Sequence, residues 1–136
     1  MMTNLTYDEA LSFGSKAALT ANGEFSDVLN MGKKAGVKDS YPGEASTNAE
    51  RRTADVLFTS PVGGTGAAIT VQGSADGSTG WTDVGKNTFT LAQMKAGPCK
   101  AAISPNGFQY LRVTFTATGT FTGGSAKCYL NTYAGK

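Results

Sequence analysis

The stretch FQYLRVTFTATG (108–119) alternates strictly. Leu111, Val113, Phe115 and Ala117 fall on one side, and Tyr110, Arg112, Thr114 and Thr116 on the other. A period of two is the mark of an extended strand, because successive side chains point to opposite faces. One apolar and one polar face is the pattern of an antiparallel sheet with one wet side. The alternation recurs in AAITVQG (67–73), with Ile69 and Val71 on one face, and in TFTLAQM (88–94). ADVLFTS (54–60) is a short apolar run suited to a central strand. KAALT (16–20) and FSDVLNM (25–31), split by the turn Ala21-Asn22-Gly23-Glu24, predict two more strands. CKAAI (99–103), bracketed by Pro98 and Pro105-Asn106-Gly107, predicts a weaker one.

The punctuation between these segments sets their number. Pro61 to Gly66 reads as a turn. Thr118-Gly119-Thr120 reads as a reversal before TFTGGSAKCYLNTY (120–133), in which Gly123-Gly124 predicts a bulge or second turn. Eight or nine short strands at this spacing imply a sandwich or barrel in one domain. Composition agrees. The chain has 136 residues, 18 of them glycine, and only 16% are charged, against about a quarter in an average domain.

Two segments are different in kind. Residues 1–15 form an N-terminal arm. Thr6 with Glu9 fits a capping box and Gly14 a stop, so Tyr7–Phe13 is either one turn of helix or an ordered arm without one. The arm has no basic region or apolar core of a signal peptide, and no apolar run approaches a membrane span. A soluble protein made in a cytoplasm, with no membrane partner, is expected. Lys33–Thr53, KKAGVKDSYPGEASTNAERRT, is charged and without period. It reads as one long charged loop within a domain spanning 16–136. A loop of that length in a compact domain has a job or is mobile. It is either a contact arm, with Lys33, Lys34, Arg51 and Arg52 meeting an acidic surface, or a solvated loop.

Reactive chemistry has little to build on. There is no histidine, which removes the commonest general base and zinc ligand. Scattered Ser, Asp and Lys residues make no triad, so no catalytic residue, no cofactor and no enzyme activity are expected. Cys99 and Cys128 match no metal or redox spacing. Cys128 is in phase with Ala126 and Leu130, which predicts a buried thiol; a Cys99–Cys128 bridge requires their strands to pair. A net charge of +2 without a basic stripe argues against a nucleic-acid partner.

VQGSADGSTGWTDVG (71–85) holds the only Trp. As a calcium loop starting at Asp76 it offers Ser78, Gly80 and Thr82 at alternate positions and Asn87 at the twelfth. Two acids, Asp76 and Asp83, do not close an oxygen cage, so no metal site is expected. As a hairpin it is simpler: Asp76-Gly77 bends the chain, Ser74 and Ser78 satisfy the bend, and Trp81 restarts the strand as a core or rim plate. The pattern S-x-D-G-S…W-T-D-V also resembles a strand–turn–strand of discoidin-type carbohydrate and lipid modules, although the aromatics here sit within strands.

Taken in order, SFGSKAALT (12–20), FSDVLNMG (25–32), DVLFTS (55–60), AAITVQGSADGSTGWTDVG (67–85) and QYLRVTFTATGTFTGGSAKCYL (109–130) resemble the small jelly-roll cement, or decoration, proteins of tailed bacteriophage capsids. The resemblance runs from about Leu11 to Leu130; Lys33–Thr53 is longer and more charged than that family's connection. It implies an all-β, single-domain jelly-roll β-sandwich of about eight strands. It implies a homotrimer on the outside of the virion head, with the major capsid protein as partner and the host cytoplasm as the place of assembly. On that view Tyr110 and Arg112 are candidates for the trimer interface, or else pack on the second sheet. Leu5, Tyr7 and Leu11 of the arm, with Lys33, Lys34, Arg51 and Arg52 of the loop, are candidates for capsid contact. The alternative is a carbohydrate-binding jelly-roll module, a head appendage touching host glycans.

Overall fold

Two long strands organise the molecule. A computed structural model describes residues 11–30, 51–104 and 107–133. Its elements are β1 (Ser12–Lys16), β2 (Gly23–Glu24), β3 (Leu29–Asn30), β4 (Arg51–Ser74), β5 (Thr82–Thr90), a helix α1 (Leu91–Ala96), β6 (Cys99–Ile103) and β7 (Tyr110–Tyr133). All seven strands join one antiparallel sheet, so the chain is all-β. β4 and β7 are 24 residues each and pair from Arg51–Tyr133 to Ser74–Tyr110.

That pairing corrects two of the expected turns. Neither Pro61–Gly66 nor Thr118–Thr120 reverses the chain; both lie inside continuous strands that bend together. Register shifts fall between Thr59 and Gly66, and Gly64 opposes Gly119. Ser60, Gly63, Gly119 and Gly124 take positive φ in this zone. The glycines and Pro61 are therefore spent on bulges, which bend a ladder sharply without ending it.

The bend divides the sheet into two halves. In the first, β6–β4–β7–β1 lie in order, with Val56 between Cys99 and Cys128. In the second, β5, β4 and β7 lie in order, and β2 and β3 flank β7. Alternation sends Ala54, Val56, Ala126, Cys128 and Leu130 inward from the first half. Ala67, Ile69, Val71, Leu111, Val113 and Phe115 enter the same core from the second. Phe115 links the halves: its ring lies 6.3 Å from that of Phe58 and 5.9 Å from that of Phe121.

The edges of one half meet those of the other. Ser104 N–H donates to the Val84 carbonyl at 2.8 Å, joining β6 to β5. Across the molecule Ser26 N–H donates to Ser15 and Asp27 N–H to Phe13, at 3.0 and 2.9 Å, joining 25–27 to β1. Edges tied in this way are not open templates for aggregation.

Several local expectations shift. TFTLAQM does not continue as a strand: β5 ends at Thr90 and Leu91–Ala96 is helical. Thr90 accepts from Gln93 N–H and the Gln93 side chain accepts from Thr90 N–H, a capping box that overrides the alternation. KAALT gives way to β1 four residues earlier, and among the described residues of FSDVLNM only Leu29–Asn30 is strand. Ser12 and Phe13 are strand, so the helical turn proposed for Tyr7–Phe13 does not reach its end; Tyr7–Ala10 lie outside the described residues. Arg51–Thr53 belong to β4, not to the charged loop, because they continue its ladder against β7 and β6; the rest of that loop, from 33 to 50, lies outside the described residues. No helix among the described residues is long and apolar enough to cross a membrane.

Candidate functional site

The outer face of the second half carries a row of bonded side chains. Register places Gln72 between Asp83 on β5 and Arg112 on β7. Because all three alternate away from the core, they stand side by side. Gln72 Nε2 donates to Asp83 Oδ1 at 2.9 Å, and Arg112 Nε donates to Gln72 Oε1 at 2.9 Å. Arg112 Nη1 lies 3.7 Å from Glu24 Oε2. The guanidinium stacks on Trp81, 4.2 Å from the ring centre, a cation–π contact that holds both groups. Arg112 is thus committed within its own face rather than projecting as a free cation. Tyr110, half-buried, packs its ring beneath the Asp76-Gly77 bend, where a Cβ on Gly77 would come within 3.1 Å.

Ser74 serves the bend as the hairpin reading expects, whereas Ser78 contributes its backbone N–H and Thr79 the second hydroxyl. Ser74 Oγ accepts from Asp76 N–H and Gly77 N–H and donates to the Thr79 carbonyl. Asp76 accepts from Ser78 N–H at 2.8 Å, Thr79 N–H at 2.9 Å and Thr79 Oγ1 at 2.9 Å. The Thr79 and Ser78 amides lower the Asp76 pKa well below the carboxylate range, because hydrogen bonds to the charged form favour it. This carboxylate is occupied in closing the turn. Gly77 and Gly80 take positive φ there. Among the described residues no group of three or more His, Cys, Asp or Glu side chains is placed to hold a metal ion.

A second network lies on the outer face of the first half. Asp55 alternates with Ala54 and Val56, so it points away from the core, yet it is fully buried. It accepts from Thr53 Oγ1 at 2.6 Å, Lys100 Nζ at 2.7 Å and Asn131 Nδ2 at 3.0 Å. A buried carboxylate is tolerated when it is paired and hydrogen-bonded in this way. Sequence patterning places Asp55 only within the apolar run 54–60; its partners on β6 and β7 are brought to it by register alone.

The cysteines are separated by a strand. Both oppose Val56, Cys99 from β6 and Cys128 from β7. Two strand spacings put them about 10 Å apart, beyond the roughly 7 Å a disulfide spans, and both are free. Burial pushes the Cys99 thiol up to about 11. Burial, then the Asp55 charge, raises Cys128 well above its ordinary value.

Among the capsid-contact candidates, Leu5, Tyr7, Lys33 and Lys34 lie outside the described residues. Leu11 packs against the core. Arg52 is 8% exposed, because it shares the inward phase of Ala54 and Val56, so it is not available to an acidic partner. Arg51 starts β4 opposite Tyr133. Of the residues that build the two outer networks, Gln72, Glu24, Asp55, Lys100 and Asn131 were not singled out by pattern as a site, and Asp83 was weighed only as a calcium ligand.

The chain matches no protein-family model, and no curated protein matches it.

Proposed function

We propose that the protein is a structural cement protein, binding as a trimer to the outside of a bacteriophage head and bridging major capsid protein subunits. The observation that supports this most is the sealed all-β body. Its edges are tied to each other through β5–β6 and β1–25–27, and its outer faces carry side chains fixed by mutual hydrogen bonds. A rigid block with preformed faces loses little entropy on docking. Three such blocks joined together make weak contacts act as one, since the second and third contacts are intramolecular. Binding the expanded lattice in preference to its precursor stabilises that lattice by mass action. The order of segments that resembles phage decoration proteins runs through this body from β1 to β7.

The carbohydrate-module reading has less support. Trp81, the aromatic a sugar ring would stack on, has Arg112 over its ring. Size exclusion with light scattering separates the readings: a mass three times that of the chain is expected, whereas a stable monomer at micromolar concentration counts heavily against a cement protein. A glycan array read by Trp81 fluorescence is expected to be silent.

A further inference from the structure

Three strands of the first half bring an amine, a carboxylate and a carboxamide to one point. Lys100 on β6 lies opposite Asp55 on β4, and Asn131 on β7 lies opposite Thr53, two residues before Asp55. A period of two puts all four side chains on the outer face. Thr53 Oγ1 donates to Asp55 Oδ1 and so orients the carboxylate. The other oxygen, Oδ2, accepts from both Lys100 Nζ at 2.7 Å and Asn131 Nδ2 at 3.0 Å. The amine and the side-chain amide therefore meet at a single oxygen atom, one from each side of β4.

These are the parts of an acyl transfer. A neutral lysine amine is a nucleophile toward a carbonyl carbon, and a general base must lie within hydrogen-bond reach of the proton it takes. Asp55 has that reach to both nitrogens. It is fully buried, so it exchanges protons with the groups that touch it rather than with bulk water. Two strand spacings, about 10 Å, keep Cys99 from Cys128, but the longer lysine side chain closes the same gap one residue on. Register holds the reactants together, which replaces a bimolecular encounter by an intramolecular one. Lys100 keeps 48% of its side chain exposed, which leaves a small product a way out.

We propose that Lys100 and Asn131 join in an isopeptide bond across β4, with Asp55 as the proton carrier. Asp55 takes a proton from the Lys100 ammonium, and the freed Nζ lone pair forms a bond to Asn131 Cγ. Asp55 gives that proton to Nδ2 and takes a second from Nζ, as the Cγ–Nδ2 bond breaks and ammonia leaves. Nothing is oxidised or reduced. The lysine charge disappears and Asp55 ends neutral, so no unpaired charge stays buried. The bond closes the chain between Lys100 and Asn131 into a loop, which constrains the unfolded state as a disulfide does. It ties the five-residue strand β6 to β7. It needs no partner, so it stands whether or not the chain docks on a phage head.

The test is the mass of the whole chain, purified, incubated at neutral pH and then denatured. Wild type is expected to be lighter than its sequence by one ammonia. Trypsin is expected to miss Lys100 and to release a branched peptide joining 96–112 to 128–136. Lys100→Arg keeps a cation beside Asp55, and Asn131→Ala removes the acyl group; both are expected to fold, to melt below wild type and to show their full masses. Asp55→Asn, folded by circular dichroism, is expected to stay unlinked, and a linked Asp55→Asn chain removes the role given to Asp55. Full mass in wild type overturns the proposal. So does an ammonia loss that persists in Lys100→Arg, which places it at another asparagine. Loss of one water instead overturns it as well, because the bond is then to Asp55 itself.

Discussion

Asp76 offers more than one role in the sequence and takes one of them in the fold. In VQGSADGSTGWTDVG it stands where a ligand to calcium or sugar would stand. In the folded chain its oxygens are taken by Ser78 and Thr79, and those bonds lower its pKa. A carboxyl whose folded pKa lies below its unfolded value, about 3.9, stabilises the fold above that pH and loses the contribution as pH falls. Asp76→Ala is therefore expected to melt below wild type at neutral pH, with the gap closing in acid below about pH 4. Thermal scans over pH check this, and added calcium is expected to shift neither protein; a gap that widens in acid contradicts the assignment. The cysteines make a second prediction at this scale. Denatured protein purified without reductant should titrate two free thiols per chain, and native protein should react slowly at neutral pH, because both thiols are buried and raised. One missing pair of thiols would contradict the register around Val56.

At the scale of elements, what was legible follows from which physics is local. The inward set Leu111, Val113 and Phe115 and the in-phase Cys128 are fixed by a period of two, and the strand at CKAAI by the turn residues that bracket it, both of which a sequence displays directly. Whether Thr118–Gly119–Thr120 ends a strand or bulges it depends on what lies opposite, and Gly64 lies opposite; no local signal carries that. α1 was legible in part: Thr90 and Gln93 stand at capping-box spacing, and the alternating TFTL (88–91), which includes Thr90, masked it. The outer networks depend wholly on register, as with Gln72 meeting residues 11 and 40 positions away. Gly85 tests the seam between β5 and β6. Its φ is not in the left-handed region, so the constraint is space alone: a Cβ would meet the Ala102 backbone oxygen, which has no flexible end to yield. Gly85→Ala is expected to cost about 1–3 kcal/mol, read as a lower urea midpoint at unchanged slope. A neutral result would mean that the seam is not closed at Ala102.

At the scale of the whole molecule, one core is shared by two halves of a single bent sheet. Phe115 lies fully buried between Phe58 and Phe121, so Phe115→Ala is expected to cost about 3–5 kcal/mol and to unfold both halves in one transition. Two separated transitions would show that the halves are independent. A body of this kind suits a part that must resist deformation on the surface of a shell, and the central claim is that it does so on a phage head. Co-sedimentation with assembled heads tests that claim most directly. The protein is expected to pellet with expanded heads, saturating at a multiple of three copies, and to bind unexpanded heads far less; protein that stays in the supernatant with expanded heads at micromolar concentration would contradict it.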